Sequence, residues 1–369
     1  MKTNFTQVAI TTLFVFFLAQ VSVLAQINTP RGSQKATISQ TVGISTITVN
    51  YSRPSVRERE VWGKLVPYGM NNFGFGTAKE SPWRAGADEN TTITFTHDAM
   101  VEGKPIKAGT YGLHLIVKEN NEATLVLSNN STAWGSYFYD PSEDALRVDI
   151  ATTTIPHKEL LTFDFLKVTP TSATLALQWE KKEFPFSISF DVTNIVLNTI
   201  RKDMQGQSGF NRQTWEQAAS YALNNGGDLN EALSWINNAI SGQFYSKKTF
   251  NNTQIKSTIL MKLGKKEEAL KAMDEVLPMA TVLEIHQYGR QLIALGMTDK
   301  ALEVFQYNAK KHKDTWPVHY GLARAYSAKG NHKLAVKHLK KALANAPNPR
   351  SKANVQANLD KASRGENIN

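Results

Sequence analysis

"WPVHYGLARAYSAKGNHKLAVKHLKKALANAP", Trp316 to Pro347, reads as two helices joined at a glycine. Leu322, Ala323 and Tyr326 recur at helical spacing, Gly330 interrupts the run, and Ala335, Leu339 and Ala342 resume it until Pro347 stops it. Small residues at facing positions let two helices approach closely, while Tyr326 and the leucines fill the remaining space.

The unit recurs upstream. Gly227, Gly264, Gly296 and Gly330 each precede an alanine by five residues, and those alanines (Ala232, Ala269, Ala301, Ala335) lie 37, 32 and 34 residues apart. A period near 34 residues with two helices per unit resembles the tetratricopeptide repeat. The earlier units depart from the last by carrying Leu223, Leu260 and Leu292 where it has Tyr326. We expect about four such repeats over 211–347, followed by a polar capping helix and tail over 348–369.

Before residue 192 the period changes to two. Ile47, Val49 and Tyr51 alternate with polar residues, as do Ile93, Phe95 and His97, and then Leu161, Phe163 and Phe165. Turn signals separate the runs: "EGKPIKAGT", "ENNE", "TPTS" and "EKKEFP". About nine short strands with no helical pattern between them predict an all-β antiparallel sandwich or barrel over 26–191. An amphipathic stretch and the flexible "QGQSG" then form a helical connector and linker over 192–210. The expected fold class is multi-domain, an all-β unit followed by an all-α tetratricopeptide-like solenoid.

The first 25 residues belong to neither unit. A single lysine, the apolar "LFVFFLAQVSVLA" and the small residues of Val23-Leu24-Ala25 read as a signal peptide cleaved near Ala25. No later segment is apolar enough to span a bilayer. The chain has no cysteine, so an exported form depends on core burial rather than disulfides and has no lipid-anchoring thiol. A soluble periplasmic or secreted protein is expected.

Residues 1–210 hold 19 basic and 19 acidic side chains, so the whole net charge of +10 lies beyond them. Lys329, Lys333, Lys337, Lys340 and Lys341 concentrate it on the last repeat. No aromatic-interleaved motif accompanies these lysines, which argues for an acidic protein or an anionic envelope surface and against nucleic acid.

Between the strands, "YSRPSVRERE", "VWGKLVPYG", "WRAGADENTTI", "GKPIKAGTYGL" and "WGSYFYDPSEDALRV" follow one another in order. These words are similar to the secreted bacterial family of unknown function numbered 2911, over residues 28–192. The resemblance implies no activity. Here "MNNFGFGTAKESP" intervenes before Trp83, and Asp88 stands where the family usually has asparagine.

Two groups of residues are candidates for binding. In the β-unit, Arg84 offers a planar fork for a carboxylate or phosphate, Asp88 and Glu89 lie across the turn from it, and Trp83 offers an aromatic face. Trp134 and Tyr137 form a second aromatic cluster able to stack on a sugar ring or a peptide. The competing reading has Arg84 paired with Asp88 or Glu89 inside its own loop. Glu89, His97 and Asp98 would form a metal centre only if a hairpin brought them together, and no metal or other cofactor is expected. In the repeats, Tyr221, His286, Arg290, Tyr320 and Arg324 fall on the first-helix face, with Gln217, Gln254 and Thr258, so the groove grows more basic toward its C-terminal end.

No metalloprotease helix and no nucleophile elbow occurs, so no catalytic residue is named. The sequence is read as an exported, non-enzymatic interaction protein whose β-unit docks or binds a ligand and whose repeats present a basic groove to a protein or peptide. The alternative makes the β-unit an enzyme or a sugar or peptide binder with its site near Trp83 and Arg84. A purely structural envelope protein is a third reading.

Overall fold

The computed structural model describes residues 29–369, so the signal-peptide segment and its cleavage site lie outside the described residues. The chain divides into two compact units, one through Val192 and the other from Thr193 to Asn369.

Among the described residues the N-terminal unit holds ten strands in two antiparallel sheets. Its strands are β1 (Gln34–Val42), β2 (Ser45–Arg53), β3 (Thr92–Phe95), β4 (Ala99–Val101), β5 (Lys104–Ile106), β6 (Gly109–Val117), β7 (Glu122–Ser128), β8 (Asp144–Ala151), β9 (Thr153–Val168) and β10 (Ser172–Ser189). One sheet runs β1-β2-β3-β6-β7-β8 and the other β5-β4-β10-β9. Neither order closes on itself, so of the sandwich and the barrel the unit is the sandwich. Alternation puts Ile47, Val49, Ile93, Phe95, Leu113 and Leu125 from the first sheet in the core with Leu161, Phe163, Leu175 and Leu177 from the second. Tyr51 meets Phe163 edge-on across that core, ring centroids 4.9 Å apart.

One sequence expectation fails here. "EKKEFP" is expected to turn, yet β10 runs straight through it. The strands absorb the irregular residues as bulges. Glu180 takes a φ of 53, and the β9–β10 register shifts on both sides of it. Past Glu183 the pairing with β9 ends, and Ile188 pairs instead with Val101 of β4. Pro185 falls in the gap between the two ladders, where a missing N–H costs no ladder bond.

The C-terminal unit is helical: α1 (Val192–Asp203), α2 (Arg212–Asn224), α3 (Leu229–Ile240), α4 (Phe250–Lys262), α5 (Lys266–Val276), α6 (Val282–Ala294), α7 (Thr298–His312), α8 (Trp316–Ala328), α9 (His332–Ala344) and α10 (Pro349–Ser363). Helices α2 to α9 form four pairs, and α10 follows as the cap. The repeat alanines Ala232, Ala269, Ala301 and Ala335 are all fully buried, each on the second helix of its pair. Turn glycines adopt left-handed φ at Gly264, Gly296 and Gly330, but in the first repeat that role falls to Gly226 rather than Gly227. Gly227 instead lies against Ala222 and Leu197, where a Cβ would come within 2.9 Å of its neighbour. No helix among the described residues is long and apolar enough to cross a membrane.

Candidate functional site

A cavity of about 490 Å³ opens in the β-unit, and Trp83, Arg84, Asp88, Trp134 and Tyr137 all line it. That volume is within the range of small-molecule sites. The floor comes from an indole cluster. Trp83 stacks on Trp179 at 5.9 Å, and Trp62 meets both rings edge-on. Trp83 is held in place by its backbone, which exchanges hydrogen bonds of 2.9 and 2.8 Å with Leu115 of β6.

Arg84 sits between two supports. Its Nη1 donates to the Asp88 carbonyl oxygen at 2.5 Å, and its guanidinium lies 4.9 Å from the centre of the Tyr137 ring. Gly135 makes room for it, because a Cβ there would fall 2.5 Å from the guanidinium carbon. Arg84 is thus bonded to Asp88 inside its own loop, as the competing reading has it, but through the main-chain oxygen rather than a carboxylate. Ala85 and Asp88 both take left-handed backbone, with φ of 50 and 59. Aspartate tolerates that region much as asparagine does. The departure at Asp88 thus keeps the turn and places an acidic residue in the cavity lining.

Glu89 does not belong to this site. Arg31 and Lys35 hold its carboxylate at 2.6 and 2.9 Å, and the hydrogen bond from Arg31 drives its pKa down to about 2. Both partners lie more than fifty residues upstream, so no local spacing could have signalled them. The three residues weighed as a metal centre are also divided. His97 Nδ1 shares a hydrogen bond with Ser45 Oγ at 3.1 Å, while Asp98 takes the Lys107 ammonium at 2.8 Å. His97 lies beyond the end of β3, not on the strand as its alternation suggested.

Sequence reasoning missed much of the cavity lining, including Trp179, Phe73, Arg57, Arg59 and Ser136. Trp179 is the buried floor, Phe73 comes from the segment that interrupts the family pattern, and Arg57 and Ser136 line the walls. The basic word "SVRERE" carried a signal for Arg57. Nothing local distinguished Ser136, whose Oγ shares a 3.0 Å hydrogen bond with His114 Nδ1. Burial first, and the charge of Arg84 second, push the His114 pKa down to about 4, so the imidazole is neutral at pH 7. An imidazole with so little affinity for a proton is a weak base, and the pair serves to fix the cavity wall.

In the helical unit the five groove candidates fall into two settings. Tyr221 is half-buried beside Gln217 and Ser220 in an open depression, and Arg290 is exposed. His286, Tyr320 and Arg324 form a ladder instead of lining an open groove. His286 stacks on Tyr320 at 5.9 Å, and the Arg324 guanidinium lies 4.7 Å from the centre of the same Tyr320 ring. His286 Nδ1 shares a bond with the Pro317 carbonyl at 2.9 Å, and burial brings its pKa to about 4. The expectation that these three face an open groove is corrected by the chain itself. The segment Asn367–Asn369 covers Arg324, whose Nη1 donates to the Ile368 carbonyl at 3.2 Å.

On the last repeat, Lys329 is paired with Asp299, whereas Lys333, Lys337, Lys340 and Lys341 are exposed.

The architecture defines a class: an all-β sandwich joined to a tetratricopeptide solenoid, a module associated with protein–protein interaction. Residues 33–188 match a family described as protein of unknown function DUF2911, and residues 292–359 match the tetratricopeptide repeat. The N-terminal unit thus resembles a family without an assigned activity, and the C-terminal unit resembles tetratricopeptide repeats. No curated protein matches the chain. Among solved structures it is similar to the MamA protein (19% identity, 42% of this chain and 82% of that one, TM-score 0.31). It is similar also to the C-terminal part of a repeat protein from Cytophaga hutchinsonii (17% identity, 47% and 67% covered, TM-score 0.36). A third is YrrB, described as a TPR protein with an unusual peptide-binding site (17% identity, 45% and 89% covered, TM-score 0.30).

Proposed function

We propose that the protein is an exported, non-enzymatic interaction protein whose repeats hold an extended polypeptide along the first-helix face, with the β-unit as its docking or ligand-binding part. One observation carries the polypeptide reading. The segment Asn367–Asn369 lies against α8 and uses its main chain both as acceptor and as donor. Arg324 Nη1 donates to the Ile368 carbonyl, the Ile368 N–H donates to Ser327 Oγ at 3.1 Å, and Asn369 Nδ2 donates to the Arg324 carbonyl at 3.1 Å. Ile368 is buried among Tyr320, Ala323 and Val355. A face that satisfies a peptide carbonyl, a peptide N–H and an aliphatic side chain together has the chemistry of peptide recognition.

The same face continues through earlier repeats with groups suited to main chain. Gln254 Nε2 donates to Gln291 Oε1 at 3.1 Å, and Gln291 Nε2 donates to Thr258 Oγ1 at 3.2 Å. Arg290 stands exposed beside them and favours an acidic partner. The mature protein, probed on an array of peptides of varied charge, is expected to retain acidic sequences preferentially. Arg290→Glu should weaken those by about tenfold, the scale of one charged hydrogen bond. Equal retention by the variant, or no preference for acidic peptides, would sink the groove reading.

Export rests on the n-region, apolar run and small-residue site that end at Ala25. Mass spectrometry of the protein recovered from cells is expected to find a chain beginning near Gln26. An intact Met1 terminus in the cytoplasmic fraction would exclude it. The exposed lysines of α9 support contact with an anionic envelope surface or an acidic protein, rather than nucleic acid.

A further inference from the structure

The cavity of the β-unit carries more chemistry than docking requires. Arg57, Arg59 and Arg84 line it against a single acidic residue, Asp88, so its charge favours an anion, although Arg59 spends its guanidinium on the Val56 and Ser55 carbonyls. Their donors differ in availability. Arg84 spends one N–H on the Asp88 carbonyl and keeps the others. Arg57 is exposed and its backbone N–H is fixed by Glu159 Oε1 at 2.9 Å, while its guanidinium makes no hydrogen bond or ion pair among the described residues. A charged fork held over a cavity with no partner of its own is suited to a carboxylate or phosphate.

Two aromatic rings at the mouth are left uncovered. Trp134 is 51% exposed and Phe73 40% exposed, although the indoles behind them are well packed. A flat indole face in that position is complementary to the apolar C–H face of a ring-shaped ligand. Asp88 then restricts the class further. Its carboxylate repels an anionic group but accepts hydroxyl donors, so the ligand's charge belongs beside Arg57 and its hydroxyls beside Asp88.

We propose that this cavity binds an acidic sugar, a hydroxylated ring bearing a carboxylate or a phosphate. Arg57 and Arg84 take the anionic group, Asp88 accepts from ring hydroxyls, and Trp134 covers the apolar face. The assignment is independent of the polypeptide reading of the repeats, since all its residues belong to the β-unit.

Titration calorimetry on the full mature chain separates the alternatives, using glucuronate, glucose 6-phosphate, glucose and phenylalanine as probes. Saturable binding of either charged sugar is expected, with glucose weaker by about tenfold or more, and the better of the two anions identifies the charged group. Arg57→Gln and Trp134→Ala should each weaken that binding by about tenfold while leaving the thermal midpoint unchanged, because both side chains are exposed. Failure of both charged sugars to bind would overturn the proposal. So would glucose binding equally well, charged-sugar binding that both variants leave intact, or phenylalanine binding more tightly than either sugar.

Discussion

Replacing Trp179 with alanine is expected to cost the β-unit about 3–5 kcal/mol of stability, the range for deleting a large buried aromatic side chain. Trp179 is 1% exposed, stacks on Trp83, meets Trp62 edge-on and donates from Nε1 to the Glu159 carbonyl at 3.3 Å. Its removal leaves a void under the cavity floor that a small shift of a strand bulged on its next residue cannot relieve, while the Glu159 carbonyl keeps its 2.9 Å bond from the Val56 N–H. Urea unfolding followed by near-ultraviolet circular dichroism measures the loss. Trp179→Phe, which keeps most of the ring, should recover more than half of it. A cost below about 1 kcal/mol for the alanine variant, at the level of an ordinary surface change, would mean that the indole cluster does not support the site.

The second large effect belongs to the repeats. Phe305 of α7 is fully buried, and two glycines on neighbouring first helices approach its ring: a Cβ at Gly289 would lie 2.4 Å from it and one at Gly321 2.3 Å. Phe305→Ala is expected to cost about 3–5 kcal/mol by opening a cavity where α6, α7 and α8 meet. Gly321→Ala should cost about 1–3 kcal/mol for the opposite reason, overpacking against the same ring. The double variant tests whether one contact underlies both. With the ring gone the added methyl has space, so the combined loss should fall short of the sum by at least about 1 kcal/mol. Strictly additive losses in a denaturant series would show that the glycine is not required by Phe305. The pair also bears on the groove, because His286 Nδ1 is 3.2 Å from the same Cβ position at Gly321.

These two clusters show how far the primary structure is legible. A tetratricopeptide repeat declares itself because its contacts are made within about 34 residues and repeat. Glycines and alanines at fixed offsets therefore suffice to locate the pairs, apart from the one-residue slip between Gly226 and Gly227. Strands of the sandwich are equally readable wherever alternation is clean, as in β2 and β3. β9 and β10 were less so. A long bulged strand shared between two partners contains charged residues and a proline that mimic a turn, and only the pairing partners reveal otherwise.

For the binding sites the division falls differently. The residue types of the cavity were legible: Trp83, Arg84, Asp88, Trp134 and Tyr137 are the aromatic and charged residues that a ligand site uses, clustered in two short words. By itself the sequence determined the two periods, the place where one gives way to the other, and this inventory. Tertiary structure alone decided which members meet. It withdrew Glu89 toward Arg31 and Lys35, brought in Arg57, Phe73, Ser136 and Trp179 from four separate segments, and laid residues 367–369 over Arg324. The reason is physical: periodicity is written into neighbours along the chain, whereas a cavity and its ion pairs are made between segments whose approach is set by the packing of the whole core.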